Sequence, residues 1–148
     1  MVSNYLVLVQ AEATKDGKYD FWEDNTGEQY HYPNGYKNRI QPGKSFVYYK
    51  TRRRKSGGYG EAGYFGYGII GEVWLDEKTK DLPKRNQRYY CELLNYCEFK
   101  NLLPARKDGL GLYEDITDNR DWGVGVREIS EEQFQSILQD AKIAIKTK

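Results

Sequence analysis

The stretch Tyr64-Phe65-Gly66-Tyr67-Gly68-Ile69-Ile70-Gly71-Glu72-Val73-Trp74 constrains the fold of this chain more than any other. Its aromatic and β-branched residues favour a strand, yet three glycines interrupt it. Glycine weakens a strand interior, and its usual reasons for being there are sharp curvature of a barrel-like sheet or close approach of another backbone. The three glycines call for one or the other.

Residues 28–74, which end on this strand, organise the rest. They begin with an aromatic-rich turn, Tyr30-His31-Tyr32-Pro33-Asn34-Gly35-Tyr36. Pro33 and Asn34-Gly35 place there either an irregular loop or the start of a short helix over residues 30–38. Next, Gln41-Pro42-Gly43-Lys44 has Pro second and Gly third, as a type II turn requires. It launches a strand over residues 45–50. Residues 50–63 read KTRRRKSGGYGEAG, with five cations in the first six positions. Such a glycine-rich segment makes a poor helix and reads as a long mobile hairpin loop that orders on a partner.

Elsewhere, residues 5–11 form an apolar run that reads as a central strand buried on both faces. Residues 14–27 are polar and turn-rich, interrupted by Phe21-Trp22, a pair that is costly to expose unless it packs or binds. Residues 75–88 are charged and read as a surface loop. In residues 89–99 the alternation of Tyr89, Cys91, Leu93, Asn95, Cys97 and Phe99 places those side chains on one face, as one long strand or as two broken near Asn95. Residues 101–121 are turn-rich, and residues 122–129 read as a short last strand. Ser130 with Gln133 then forms a capping box, followed at helical spacing by Phe134, Ile137, Leu138, Ala141 and Ile145. The pattern predicts one α+β domain over residues 1–148. Its sheet is small, curved and barrel-like, with five or six strands, short helices and a C-terminal amphipathic helix.

A formal net charge of +1 excludes a polycation, so any nucleic-acid contact must come from a local basic patch. The 14 tyrosines supply π-faces and hydroxyls suited to binding surfaces and to β-rich cores alike. The two cysteines, Cys91 and Cys97, stand about 20 Å apart on one extended strand, beyond disulfide reach. They read as free thiols in a reducing compartment. With one histidine and no CxxC pair, no metal or other cofactor is expected. No apolar run approaches a membrane span, and the expected location is the cytoplasm.

The order of these motifs resembles the EVE domain of the PUA-like superfamily, to which YTH domains also belong. Pro42-Gly43-Lys44-Ser45-Phe46-Val47-Tyr48-Tyr49 is similar to that family's GD-x-x-φ-φ-Y strand, with Lys44 where the family usually has Asp. Gly68-Ile69-Ile70-Gly71-Glu72-Val73 is similar to its G-I-V-G-x-x-x-V strand, and Arg127-Glu128-Ile129-Ser130-Glu131-Glu132-Gln133-Phe134 to its strand-to-helix end. Within the family, the chain resembles the EVE-like module at the N-terminus of modification-dependent HNH restriction endonucleases. The resemblance spans nearly the whole chain. It implies a barrel that holds a flipped, modified base in an aromatic cage. The HNH motif itself is absent, so the resemblance implies a reader without catalytic residues, standing alone or joined to a nuclease.

Candidate walls of the base pocket are Trp22, Tyr30, Tyr32, Tyr36 and Trp122. His31 and the amide of Asn34 or Asn38 are candidates for contact with a base edge. Lys50, Arg52, Arg53, Arg54 and Lys55, extended by Lys37 and Arg39, are candidate phosphate contacts that position without reading sequence. Modified double-stranded DNA is the expected partner and RNA the alternative. A small enzyme using Asp115 and Asp118 beside Trp122 is a third reading, weakened because those acids sit in a plain turn and one histidine limits acid–base chemistry.

Overall fold

The computed structural model describes residues 4–10, 27–51, 62–107, 111–116 and 125–141. Strands β1 (Tyr5–Val9), β2 (Gln29–Pro33), β3 (Ser45–Lys50), β4 (Gly63–Leu75), β5 (Arg88–Leu103) and β8 (Val126–Ile129) form one sheet in the order β2-β5-β4-β3-β1-β8. A two-stranded piece, β6 (Arg106–Lys107) with β7 (Gly111–Leu112), lies apart from it. β1 runs parallel to β3 and antiparallel to β8, and the other neighbours in the large sheet are antiparallel. Helix α1 (Glu131–Asp140) follows β8 directly. The architecture is thus α+β, a six-stranded sheet curled into a half-barrel with one α-helix among the described residues.

The curl divides the core in two. The inner cluster holds Leu6, Leu8, Tyr30, Tyr32, Ile40, Phe46, Tyr48, Phe65, Ile70, Cys91, Leu93 and Val126. The outer cluster holds Val7, Val9, Val47, Tyr49, Tyr64, Phe99, Tyr113 and Ile129 with Phe134 and Ile137 of α1. β1 and β3 supply alternate residues to each cluster, which is why residues 6–9 and 46–49 read as unbroken apolar runs. The capping box of α1 is present in both directions, Gln133 N–H to Ser130 Oγ and Ser130 N–H to Gln133 Oε1.

Two glycines explain the shape. Gly43 has φ +93° at the third position of the turn in which Lys44 N–H donates to the Gln41 carbonyl at 3.3 Å; an L side chain there is strained. Gly66 lies beneath the Tyr96 ring, and a Cβ built on it would stand 2.6 Å from the Tyr96 hydroxyl. Close approach of a ring therefore accounts for that strand glycine. Curvature enters beside it, where the β3–β4 register jumps so that Tyr48 pairs with Gly66 and Tyr49 with Tyr64.

Two expectations are corrected. Residues 29–33 are a strand pairing with β5, and a 3-10 turn at Asn34–Tyr36 begins only after Pro33. The single-face alternation in residues 89–99 also fails. Strand β5 is continuous, but Asn95 has φ +52°, and the side chains change phase there. Tyr89, Cys91 and Leu93 face the inner cluster, whereas Cys97 and Phe99 face the outer one. One residue of irregular backbone moves every later side chain to the other face.

Candidate nucleic-acid interface

β2 and β8 stand at opposite ends of the sheet order, so the half-barrel has a seam between them. Side chains of residues 30–39 close it. The Tyr30 hydroxyl lies 2.7 Å from the Val9 carbonyl and 3.1 Å from that of Gly125. The Tyr36 hydroxyl accepts from Gly125 N–H at 2.9 Å. Arg39 Nη1 donates to the Val126 carbonyl at 2.6 Å. Lys44, buried where the EVE pattern has Asp, donates from Nζ to the Arg39 carbonyl at 2.9 Å. That bond satisfies the backbone of the segment carrying the seam, and gives the substituted lysine a structural task.

Inside the seam runs a chain of tyrosine rings, Tyr89–Tyr32–Tyr30–Tyr48–Tyr96, with successive centroids 6.0–6.2 Å apart. Tyr32 has no exposed surface. Its hydroxyl, the Tyr96 hydroxyl and Asn34 Oδ1 are buried with no hydrogen-bond partner among the described residues. Burial, then the nearby Cys91 and Tyr89, pushes the Tyr32 hydroxyl well above its ordinary pKa; burial, then Glu98 and Cys97, does the same to Tyr96. Both therefore stay neutral and keep a proton to donate. A buried polar group without a partner costs about 1–3 kcal/mol, and native interiors hold only a few per hundred residues. Tyr32→Phe should accordingly leave urea stability unchanged or raise it by about 1 kcal/mol. A loss above that size would mean that the hydroxyl has a structural partner.

The seam aromatics carry cations. Lys37 Nζ lies 5.9 Å from the centre of the Tyr89 ring, and the Arg39 guanidinium 5.7 Å from that of Tyr36. Lys37 is exposed, and Tyr36 and Tyr89 are half-buried. Lys50 Nζ lies 4.8 Å from the Phe65 ring centre.

The structure brings Tyr30, Tyr32, Asn34, Tyr36, Lys37 and Arg39 into one region. Tyr30 and Tyr32 are core residues there, not open walls, because their strand register turns both inward. Arg39 is committed to the seam. His31 departs from its expected place at a base edge: alternation along β2 puts it on the face away from Tyr30 and Tyr32. There it stacks on Tyr90 at 4.3 Å, with Nε2 3.0 Å from Asp76 Oδ2. The Asn38 amide is on an exposed residue. Trp22, Trp122, Arg52, Arg53, Arg54, Lys55 and Asp118 lie outside the described residues. Asp115 is exposed in the segment after β7. Sequence reasoning missed Tyr89 and Tyr96 as site residues. Tyr89 joins through its pairing with Tyr32, and Tyr96 through the phase change at Asn95; neither leaves a local signal.

Among the described residues, no group of His, Cys, Asp and Glu is placed to hold a metal ion, and no helix is long and apolar enough to cross a membrane. No protein-family model matches the chain, and no curated protein does. The fold is similar to that of a solved domain, the N-terminal domain of Staphylothermus marinus McrB, at a TM-score of 0.56 and 13% identity. The likeness covers 94% of this chain and 95% of that one. At that identity it concerns the fold.

Proposed function

We propose that this domain is a non-enzymatic binding module for modified DNA. It takes a modified cytosine or adenine extruded from the duplex into the tyrosine-lined interior of the half-barrel, and it serves a restriction or defence system whose nuclease is another domain or subunit. The observation that carries this reading is the tyrosine chain with unpaired polar atoms on Tyr32, Tyr96 and Asn34 beside ring-borne cations. The order of motifs similar to EVE modules supports it, as does the fold held in common with the N-terminal domain of McrB.

The energetics are feasible. Extruding a base costs a few kcal/mol, and each aromatic stack returns about 1–3 kcal/mol. A methyl group adds on the order of 1 kcal/mol of apolar burial. Discrimination must therefore come from shape and from polar groups that only the correct base satisfies. Neutral Tyr hydroxyls donate to base acceptors, and the Asn34 amide oxygen accepts from an exocyclic amine. Because Tyr30 and Tyr32 are covered, entry requires the half-buried Tyr36 and Tyr89 to move aside, and they become the outer walls of the pocket. Lys37 and Lys50 meet phosphates, joined by Arg52, Arg53, Arg54 and Lys55. Trp22 and Trp122 are further candidate walls.

A panel of duplexes carrying methylated or hydroxymethylated cytosine, methylated adenine or no modification, with a matched RNA, tests the reading by anisotropy. One modified DNA should bind at least about tenfold tighter than its unmodified counterpart, a difference of about 1.4 kcal/mol. Equal binding across the DNA panel, or preference for RNA, contradicts it. Lys37→Ala should also lower the slope of log affinity against log salt by about 0.9, one phosphate contact, and an unchanged slope removes Lys37 from the interface.

A further inference from the structure

The outer face of β4, β5 and β2 carries a second aromatic array. Trp74 of β4, Tyr90 of β5 and His31 of β2 are cross-strand neighbours. Trp74 stacks on Tyr90 at 5.5 Å and 18°, Tyr90 on His31 at 4.3 Å and 7°, and His31 Nε2 meets buried Asp76 at 3.0 Å. The indole is thereby held as a fixed plate against a rigid stack, yet Trp74 remains 40% exposed. An indole left open in this way offers a π-face to a cation.

Beside the plate lies a groove of about 470 Å³, within the size range of ligand pockets. Glu28, Glu72 and Glu92 line it together with Trp74 and Gln29, and among the described residues no Lys or Arg does. All three glutamates are exposed. Glu92 Oε1 lies 3.4 Å from the Glu72 backbone N–H, which sets its carboxylate across β4. The Glu72 and Glu92 carboxylates disfavour a phosphate at this groove. The groove lies on the face opposite the inner tyrosine chain.

We propose that this groove docks an arginine-bearing basic segment of a protein partner, with the guanidinium flat on the exposed face of Trp74 and hydrogen-bonded to the Glu72 and Glu92 carboxylates. The charge complementarity selects a cation. The indole next to carboxylates selects arginine over lysine, because a planar guanidinium stacks on the ring and engages a carboxylate through paired N–H groups. The domain would then have two functional faces, an inner one for the base and an outer acidic one that recruits another protein.

The test uses the full chain and a blocked peptide of alternating glycine and arginine, with its lysine counterpart. Indole N–H signals in nitrogen-edited NMR spectra are assigned by Trp22→Phe, Trp74→Phe and Trp122→Phe. The arginine peptide should shift the Trp74 signal saturably while leaving those of Trp22 and Trp122 in place, and the lysine peptide should bind several-fold more weakly. Glu72→Gln with Glu92→Gln should weaken the arginine peptide about tenfold, as expected for lost charge-assisted hydrogen bonds. The dispersed spectrum of that double variant reports that it is folded, and Trp74→Phe gives an independent loss. A Trp74 signal unmoved at millimolar peptide, or undiminished binding to the double variant, overturns the proposal. DNA affinity of the double variant should equal that of the parent; a fall there, without peptide binding, overturns the docking role and relocates the nucleic-acid site to this face.

Discussion

Replacing Arg127 with Met will destabilise the domain by about 3–5 kcal/mol, a fall in Tm of roughly 6–20 °C for a chain of this size. Arg127 lies on β8 with its side chain 7% exposed, against a Glu114 side chain that is 3% exposed. Its Nε and Nη2 donate to the two Glu114 oxygens at 2.7 and 2.8 Å. The Tyr64 hydroxyl donates to the same carboxylate at 2.6 Å, and the guanidinium lies 5.1 Å from the centre of the Tyr49 ring. Burial opposes the Arg127 charge, but the Glu114 hydrogen bonds and charge outweigh it, and the guanidinium titrates above its ordinary value. Burial, then Glu114, pushes the Tyr64 hydroxyl up as well, so it remains a donor.

The cost arises because Met leaves the carboxylate buried without its cation, which is worse than never having had the pair. Arg127→Met combined with Glu114→Leu should therefore recover much of the loss. A thermal unfolding series on the two single variants and the double variant checks this. A single Met variant within about 1 kcal/mol of the parent, in the range of a surface ion pair, would show that water reaches the pair and that the outer core is looser than described.

Ile137→Ala should cost about 2–5 kcal/mol. Ile137 is fully buried in the outer cluster, and Phe134 on the same face of α1 packs its ring 4.8 Å from that of Tyr5. Leu138, which shares the apolar stripe in the sequence, is half-buried, so Leu138→Ala should cost clearly less. Urea midpoints at constant m value decide the order. If Leu138 proves the more costly, the helix is rotated about its axis relative to the sheet. Neither substitution touches the inner tyrosines, and nucleic-acid affinity of the folded protein should be unchanged.

Local chemistry made some of this legible in the sequence. The strand at residues 45–50, the turn glycine at Gly43 and the capping box at Ser130 each depend on residues within a few positions of one another. The strand glycines signalled curvature or a close approach, and at Gly66 the reason is a close approach, an aromatic ring directly above it. What was lost depends on distant pairing. β2 was hidden because Pro33 and Asn34-Gly35 signal a turn, while the strand is specified by its ladder with β5. The phase change at Asn95 could not be read either, because asparagine tolerates positive φ without requiring it. For the candidate site, aromatic density pointed to residues 30–39, which the fold gathers around the seam. The sequence could not say that Tyr30 and Tyr36 spend their hydroxyls closing a seam, or that His31 turns away to Asp76.

The central claim is that a modified base leaves the duplex and enters the tyrosine-lined interior. It is tested most directly by a fluorescent purine analogue, quenched in the stack, placed next to the modified base of the duplex that the domain prefers. Binding by the parent protein should raise its emission, because extrusion unstacks the neighbour. The rise should be absent on the unmodified duplex. Tyr89→Ala should cost about 1–3 kcal/mol in affinity for the modified duplex and reduce the emission at equal concentration. Tight binding to the modified duplex with emission as low as on the unmodified one would contradict the account, since the modification would then be read with the base still stacked in the helix.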